Sequence, residues 1–205
     1  MENKKYTFNA DYNIIDVEEK PQANNIAHWV KDIINPNQVI DVGCGPGTYV
    51  YSMIKLGIKA FGYDLDERVD GLPYLYNKSI FDIKDSGDMV MCIEVAEHIN
   101  PEFSQDIVDS LYNMVEKDGI LLFTAAHLGQ GGTDHINCRP KEYWEYKFKE
   151  KGLIRSSTLE NQLLSYVVRD SFMGWFKMNL MIFYKIDESI KESTSGSLLG
   201  PNSRN

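Results

Sequence analysis

The segment from Val39 to Met53 constrains the fold more than any other part of the chain. Val39, Ile40 and Val42 form a short, β-branched apolar run, which reads as a buried strand. It stops at Gly43, Gly45 and Gly47, three glycines separated by single residues. Glycines permit tight turning and close approach of a backbone to a ligand. From Thr48 to Leu56 the spacing is helical, with Gly57 as its stop. Strand, glycine turn and helix in this order begin a βαβ unit with parallel strands.

The same alternation runs along the chain. Lys20 to Ile34 carries apolar positions at Ile26, Trp29, Val30 and Ile33, a helix ended by Pro36. Ala60 to Tyr63 is the next strand, closing on Asp64. Short extended pieces are expected near Tyr74 to Tyr76 and Ser79 to Ile83. Met89 to Ile93 is an apolar strand, Phe103 to Val115 an amphipathic helix, and Ile120 to Ala125 another buried strand. His127 to Arg139 is a polar, Gly-rich loop. Pro140 opens a helix that Gly152 stops. A strand from Leu153 to Thr158, a helix from Asn161 to Val168 and a long final strand from Trp175 to Ile186 complete the reading. The predicted fold class is α/β: a Rossmann-like doubly wound sheet, mostly parallel with an antiparallel final strand. Residues 1–187 are read as a single domain with an N-terminal extension over 1–20. Residues 188–205, rich in Ser, Gly and Asn, are expected to be a disordered tail. In such sheets ligands bind at the carboxyl ends of the strands. The loops after Val42, Tyr63, Ile93 and Ala125 should therefore line one site.

Composition narrows the function. The 205 residues carry a net charge of −9, which counts against a nucleic-acid backbone as partner, because phosphate binding needs clustered Lys and Arg. Three cysteines, Cys44, Cys92 and Cys138, have no regular spacing and read as reduced thiols. The N-terminal residues lack an apolar signal core, and no apolar run approaches a membrane span. A cytoplasmic protein without membrane association is expected, as monomer or homodimer.

The glycines fall as GCGPG, with Asp41 before them, and not as the GxGxxG of dinucleotide sites. Pro46 removes a backbone N–H that a pyrophosphate would use. Asp64 ends the following strand, where a carboxylate accepts from both ribose hydroxyls of an adenosine. DVGCGPG together with GYDLD resembles the class I S-adenosylmethionine-dependent methyltransferases, over about Ile26 to Lys185. The resemblance implies a cofactor site in which Asp41, Gly43, Gly45 and Gly47 hold the methionine end. Asp64, with Leu65 beside it, holds the ribose. Asp82 meets the adenine, with Ile80 or Phe81 as apolar neighbours, and Ile93 closes the cofactor side.

A second constellation follows the strand MVMCI: Glu94-Val95-Ala96-Glu97-His98. A helical turn beginning at Glu94 would put residues 94, 97 and 98 on one face. Two carboxylates and an imidazole there suit a divalent cation such as Mg, Mn or Zn. The ExxEH pattern resembles metal-assisted O-methyltransferase branches: the ubiquinone-pathway enzymes and those that methylate a 2′-hydroxyl at RNA 3′ ends. The resemblance implies Glu94, Glu97 and His98 as metal ligands, joined by His135 from a later loop. A metal-free reading stays open, with Glu94 near the cofactor and His98 structural or acid–base.

The loop from His127 to Asn137 has two histidines, Asp134 and several glycines, and should lie over the same site. GQGGTDHIN followed by the Pro-x-x-Tyr-Trp helix is similar to class I methyltransferases of glycans or other polar hydroxyls. Expected catalytic residues are His135, His98 and Glu97, with His127 after His135. Tyr12, Trp29, Tyr143, Trp144 and Trp175 are read as core or as platforms for a sugar or aromatic ring. The expected reaction is methylation of a hydroxyl on a sugar, glycan or similar polyol, divalent-metal-assisted in the metal-bound reading. The alternatives are an aromatic metabolite, an RNA 3′-terminal 2′-hydroxyl, and a cofactor-binding protein without catalysis.

Overall fold

A computed structural model describes residues 20–167 and 174–186. The strands are β1 (Val39–Val42), β2 (Ala60–Asp64), β3 (Leu75–Asn77), β4 (Gly87–Ile93), β5 (Val115–Thr124), β6 (Leu153–Arg155) and β7 (Met181–Lys185). The helices are α1 (Lys20–Trp29), α2 (Thr48–Lys55), α3 (Ser104–Met114), α4 (Lys141–Lys151), α5 (Ser157–Val167) and α6 (Gly174–Asn179). A wider helical turn, Val30–Ile34, extends α1 up to Pro36.

The strands form one seven-stranded sheet in the order β3-β2-β1-β4-β5-β7-β6. β1 to β5 run parallel, and β7 is antiparallel to both β5 and β6. Both faces are covered, which is why the inner strands read as continuous apolar runs. The alternation within them sorts the core. Val39, Met89, Met91 and Leu122 pack with Ile26 and Trp29 of α1, Val50 and Met53 of α2, and Leu163 of α5. Ile40, Val42, Val90, Cys92 and Phe123 face the other way, toward Ile107 and Leu111 of α3 and Trp144 and Phe148 of α4. Gly152 ends α4 at φ 103, its amide donating to the carbonyls of Phe148 and Lys149.

Several expectations change. Residues 79–83 are a turn, fixed by the Asp82 amide donating to the Ser79 carbonyl; Ile80 is buried and Phe81 packs on Phe103. β6 stops at Arg155 because Ser156 begins the turn into α5: its hydroxyl accepts the Leu159 amide and its carbonyl the Glu160 amide. The long final strand is divided. Gly174–Asn179 is helical, with the Leu180 amide donating to the Phe176 carbonyl, and only Met181–Lys185 is strand. Phe176 and Leu180, four residues apart, bury on one side there. The helix expected over Asn161 to Val168 starts earlier, at Ser157, and Val168 lies outside the described residues. The N-terminal extension to residue 19, with Tyr12, and the expected tail also lie outside them. Among the described residues, no helix is long and apolar enough to cross a membrane.

Candidate active site

The carboxyl ends of β1, β2, β4 and β5 meet at one edge of the sheet. After β1 the chain turns through Gly43, Gly45 and Gly47 at φ 71, 51 and 82, values that L side chains seldom adopt. A Cβ on Gly43 would stand 2.3 Å from Val95 Cγ2, and one on Gly47 2.7 Å from Leu75 Cδ1. Gly45 differs: nothing lies within 4 Å of its virtual Cβ, so that part of the turn opens outward. The turn leads into α2 at Thr48, whose buried hydroxyl has no hydrogen-bond partner.

Asp64 ends β2 beside this turn. One carboxylate oxygen accepts the Gly45 amide at 2.8 Å, and the other accepts the Asp66 amide at 2.9 Å. Burial raises its pKa, and these amides pull against that rise. Asp41 is buried on β1. Leu65 is 43% exposed just past Asp64, Asp82 is exposed on the turn after β3, and Ile93 is half-buried at the end of β4.

Beyond β4 the chain does not enter a helix at once. Glu94 sits at φ 52, and its amide donates to the backbone and hydroxyl oxygens of Thr124 on β5. A single tight turn follows at Ala96–His98. The reversal at Glu94 breaks the one-face arrangement expected for residues 94, 97 and 98. The structure instead groups Glu97, His98 and His135, whose ligand-type atoms lie within 4.8 Å of one another. Glu94 is outside that group. Gln130 Nε2 donates to its Oε2 at 2.9 Å, and Asn179 Nδ2 donates to its Oε1 at 3.0 Å.

The Glu97 side chain is fully buried; the Glu94 carboxylate and the Ala126 backbone lie beside it, and neither carboxylate oxygen makes a well-aligned hydrogen bond. Burial raises its pKa, and the neighbouring Glu94 carboxylate raises it further. His98 is pushed down to about 4, by burial and then by His135, so its imidazole is neutral. Its Nδ1 lies 3.3 Å from the Asp134 carbonyl, an acceptor, which leaves Nε2 with the lone pair. The two imidazole rings meet edge to face at 4.9 Å, and His135 Nδ1 is buried without a partner.

The loop after β5 is fastened so that His135 arrives there. The Glu97 carbonyl accepts the amides of both Ile136 and Asn137 at 2.9 Å. The buried Asn137 side chain donates to the Ala96 carbonyl and the Ser104 hydroxyl and accepts from Arg139. Gly132 passes directly under the His135 ring: a Cβ there would lie 2.2 Å from Cε1. Asn137, Asn179 and Gln130 were not singled out in the sequence. Amides without charge carry no spacing signal, and only the fold brings them to Glu94 and Glu97. Trp29 and Trp144 are fully buried core residues and offer no platform to an acceptor. Tyr143 and Trp175 are half-buried and pack against the core.

A doubly wound sheet with one antiparallel strand inserted near its end, a glycine turn after β1 and an acid closing β2 defines the class I methyltransferase architecture. Residues 19–178 match the family described as Methyltransferase domain. The chain belongs to that family and is an S-adenosylmethionine-dependent methyltransferase. A 103-residue stretch is 31% identical to a ubiquinone biosynthesis O-methyltransferase from Shewanella halifaxensis. That stretch is 42% of this chain and 42% of that protein, so the match spans under half of the relative. The fold is similar to magnesium protoporphyrin IX methyltransferase from Synechocystis with bound SAH (TM-score 0.59, 16% identity, 87% of this chain and 90% of that one). It is also similar to the sugar N-methyltransferase KedS8 from a Streptoalloteichus species (TM-score 0.62, 11% identity, 88% and 95% of the two chains).

Proposed function

We propose that the protein transfers the methyl group of S-adenosylmethionine to a hydroxyl of a sugar, glycan or similar polyol. A divalent cation would be held by Glu97, His98 and His135. The observation that carries this is the Glu97 carboxylate: fully buried, without a well-aligned hydrogen bond, and within 4.8 Å of two imidazole nitrogens. A buried carboxylate in that state is costly unless something compensates it. One carboxylate and two imidazole nitrogens suit Mn or Zn, and Mg less well.

The chain's own residues divide the work. The glycine turn and Asp64 would hold the cofactor so that its sulfonium methyl faces the end of β4. Asp41 would order the turn. The His98 Nδ1 contact with the Asp134 carbonyl orients the ring and leaves Nε2 as its candidate ligand atom. Glu97 fixes the His135 loop through its own carbonyl. A divalent cation held there would lower the pKa of a coordinated hydroxyl. As that hydroxyl gives up its proton, its oxygen would attack the methyl in line, and the C–S electron pair would stay on sulfur as S-adenosylhomocysteine. Alignment of nucleophile and methyl is the protein's main contribution.

The polar loop around Gly129 to Thr133 supports a hydroxyl-rich acceptor, and the net charge of −9 counts against RNA. An aromatic hydroxyl is the second reading, favoured by the stretch shared with the ubiquinone-pathway enzyme. The test is release of S-adenosylhomocysteine from a panel of sugars, polyols, catechols and RNA oligonucleotides. Turnover on the sugars and polyols supports the first reading. Turnover confined to catechols supports the second. Tight cofactor binding with no turnover on any acceptor would mark a protein without catalysis.

A further inference from the structure

Beside the Glu97 group lies a second closed set of polar side chains: Glu94, Gln130, Asn179 and His127. They come from the end of β4, the loop after β5 and the end of α6. Asn179 is fully buried and touches the other three. Its Nδ2 donates to Glu94 Oε1 at 3.0 Å and to Gln130 Oε1 at 2.8 Å. Gln130 Nε2 donates to Glu94 Oε2 at 2.9 Å. His127 Nδ1 lies 3.0 Å from Asn179 Oδ1.

The chemistry of this ring allows one arrangement of protons. A carboxylate only accepts, so both amides must turn nitrogen toward Glu94. Asn179 spends both of its N–H groups on Glu94 and Gln130. Only its oxygen remains to face His127, and an oxygen there accepts. His127 must then carry a proton on Nδ1, so in the neutral ring Nε2 carries the lone pair. Among the described residues no hydrogen-bond partner meets that Nε2. His127 is half-buried, two residues past Ala125, at the edge where β4 and β5 deliver the site.

We propose that Asn179 is a positioning residue that fixes the Nδ1–H tautomer of His127, and that His127 Nε2 is the proton acceptor for the acceptor hydroxyl. This rests on the O-methyl-transfer reading and deepens it by saying where the proton goes. As the acceptor oxygen forms its bond to the methyl carbon, its O–H proton passes to His127 Nε2. The C–S electron pair leaves on sulfur. The resulting imidazolium keeps its Nδ1–H bond to Asn179 and returns the second proton to solvent. A uniquely oriented histidine is worth about 10²–10⁴-fold in such a step.

The tautomer is read without acceptor or metal. Long-range 1H–15N NMR of 15N-labelled protein resolves the four histidines, and His127→Asn assigns the signal. His127 is expected as the neutral Nδ1–H form, and Asn179→Ala is expected to abolish that preference. In turnover, His127→Asn keeps a donor toward Asn179 but removes the base. It should lower kcat by about 10²-fold or more with cofactor affinity unchanged. Asn179→Ala should lower kcat by less, in step with its loss of the tautomer preference. An Nε2–H form in the wild-type protein overturns the proposal, as does a tautomer indifferent to Asn179→Ala. Wild-type turnover by His127→Asn also overturns it. A wild-type protein with no turnover on any hydroxyl would sink the O-methyl-transfer reading instead, and the tautomer would then decide this proposal alone.

Discussion

The Asp64 carboxylate holds the Gly45 amide at 2.8 Å, so the acid at the tip of β2 closes the glycine turn that follows β1. One side chain thus ties the end of β2 to the turn after β1 and shapes that turn.

Asp64→Ala should weaken S-adenosylmethionine binding by about tenfold or more, since a hydrogen bond to a charged group contributes about 1.5–3 kcal/mol. Isothermal titration reads this directly. Because burial raises the Asp64 pKa, cofactor affinity should also fall as pH drops into the upper carboxyl range, and that dependence should vanish in the variant. Equal affinity of variant and wild type would remove Asp64 from the site.

Gly43→Ala tests the turn itself. The residue sits at φ 71, and its new methyl would meet Val95 at 2.3 Å. Backbone strain and overpacking of this kind cost about 1–3 kcal/mol each. Thermal unfolding should show a lower Tm. Gly45→Ala has the strained φ but open space around it, so it should be milder in stability. Equal losses in the two variants would contradict this packing.

Much of this was legible in the sequence, and what was not has physical causes. The glycine turn and Asp64 stand out because a tight turn between a buried strand and a helix admits few residue types. Gly152 and Pro36 stop their helices for the same local reason. Trp175 to Ile186 read as one strand because apolar, β-prone residues fill it. The helix in its first half is set by Phe176 docking on the core and Asn179 reaching Glu94, both long-range facts. Glu94 was grouped with Glu97 and His98 on helical spacing; its φ of 52 breaks the helical turn, and its carboxylate stays beside Glu97 but outside the group of ligand-type atoms. His135 was singled out with them, although the fastening that brings it there depends on Asn137 and Gly132.

Glu97 gives a pH dependence with a defined sign. Its folded-state pKa is raised, by burial first and Glu94 second. The folded protein therefore holds a proton that the unfolded chain releases at ordinary carboxyl pH. That contribution to stability is complete below the unfolded pKa and is lost as pH rises through the folded one. Metal-free protein should melt at falling temperature as pH climbs above the carboxyl range. Glu97→Gln should flatten that slope and raise Tm at neutral pH. Cation affinity should rise with pH, because the ligand must lose its proton. A Tm independent of pH in the wild type would contradict the buried acid.

The cysteines should differ in reactivity. Cys44 and Cys92 are buried, and burial pushes both thiols far up. Cys138 is partly exposed, with its pKa raised less. Iodoacetamide on the native protein should therefore give a single adduct, at Cys138, by intact-mass and peptide analysis. Rapid modification of Cys44 would mean that the glycine turn opens far more than its packing allows.

The proposed reaction is methyl transfer to a hydroxyl at a cation site built from Glu97, His98 and His135. It is tested most directly by S-adenosylhomocysteine release on the hydroxyl panel, with chelated protein, with Mn²⁺ or Mg²⁺ added back, and with Glu97→Ala. Chelation should abolish turnover, and the added ion should restore it. Glu97→Ala should bind S-adenosylmethionine normally yet show no turnover. Full activity in the chelated protein, or in Glu97→Ala, would contradict it.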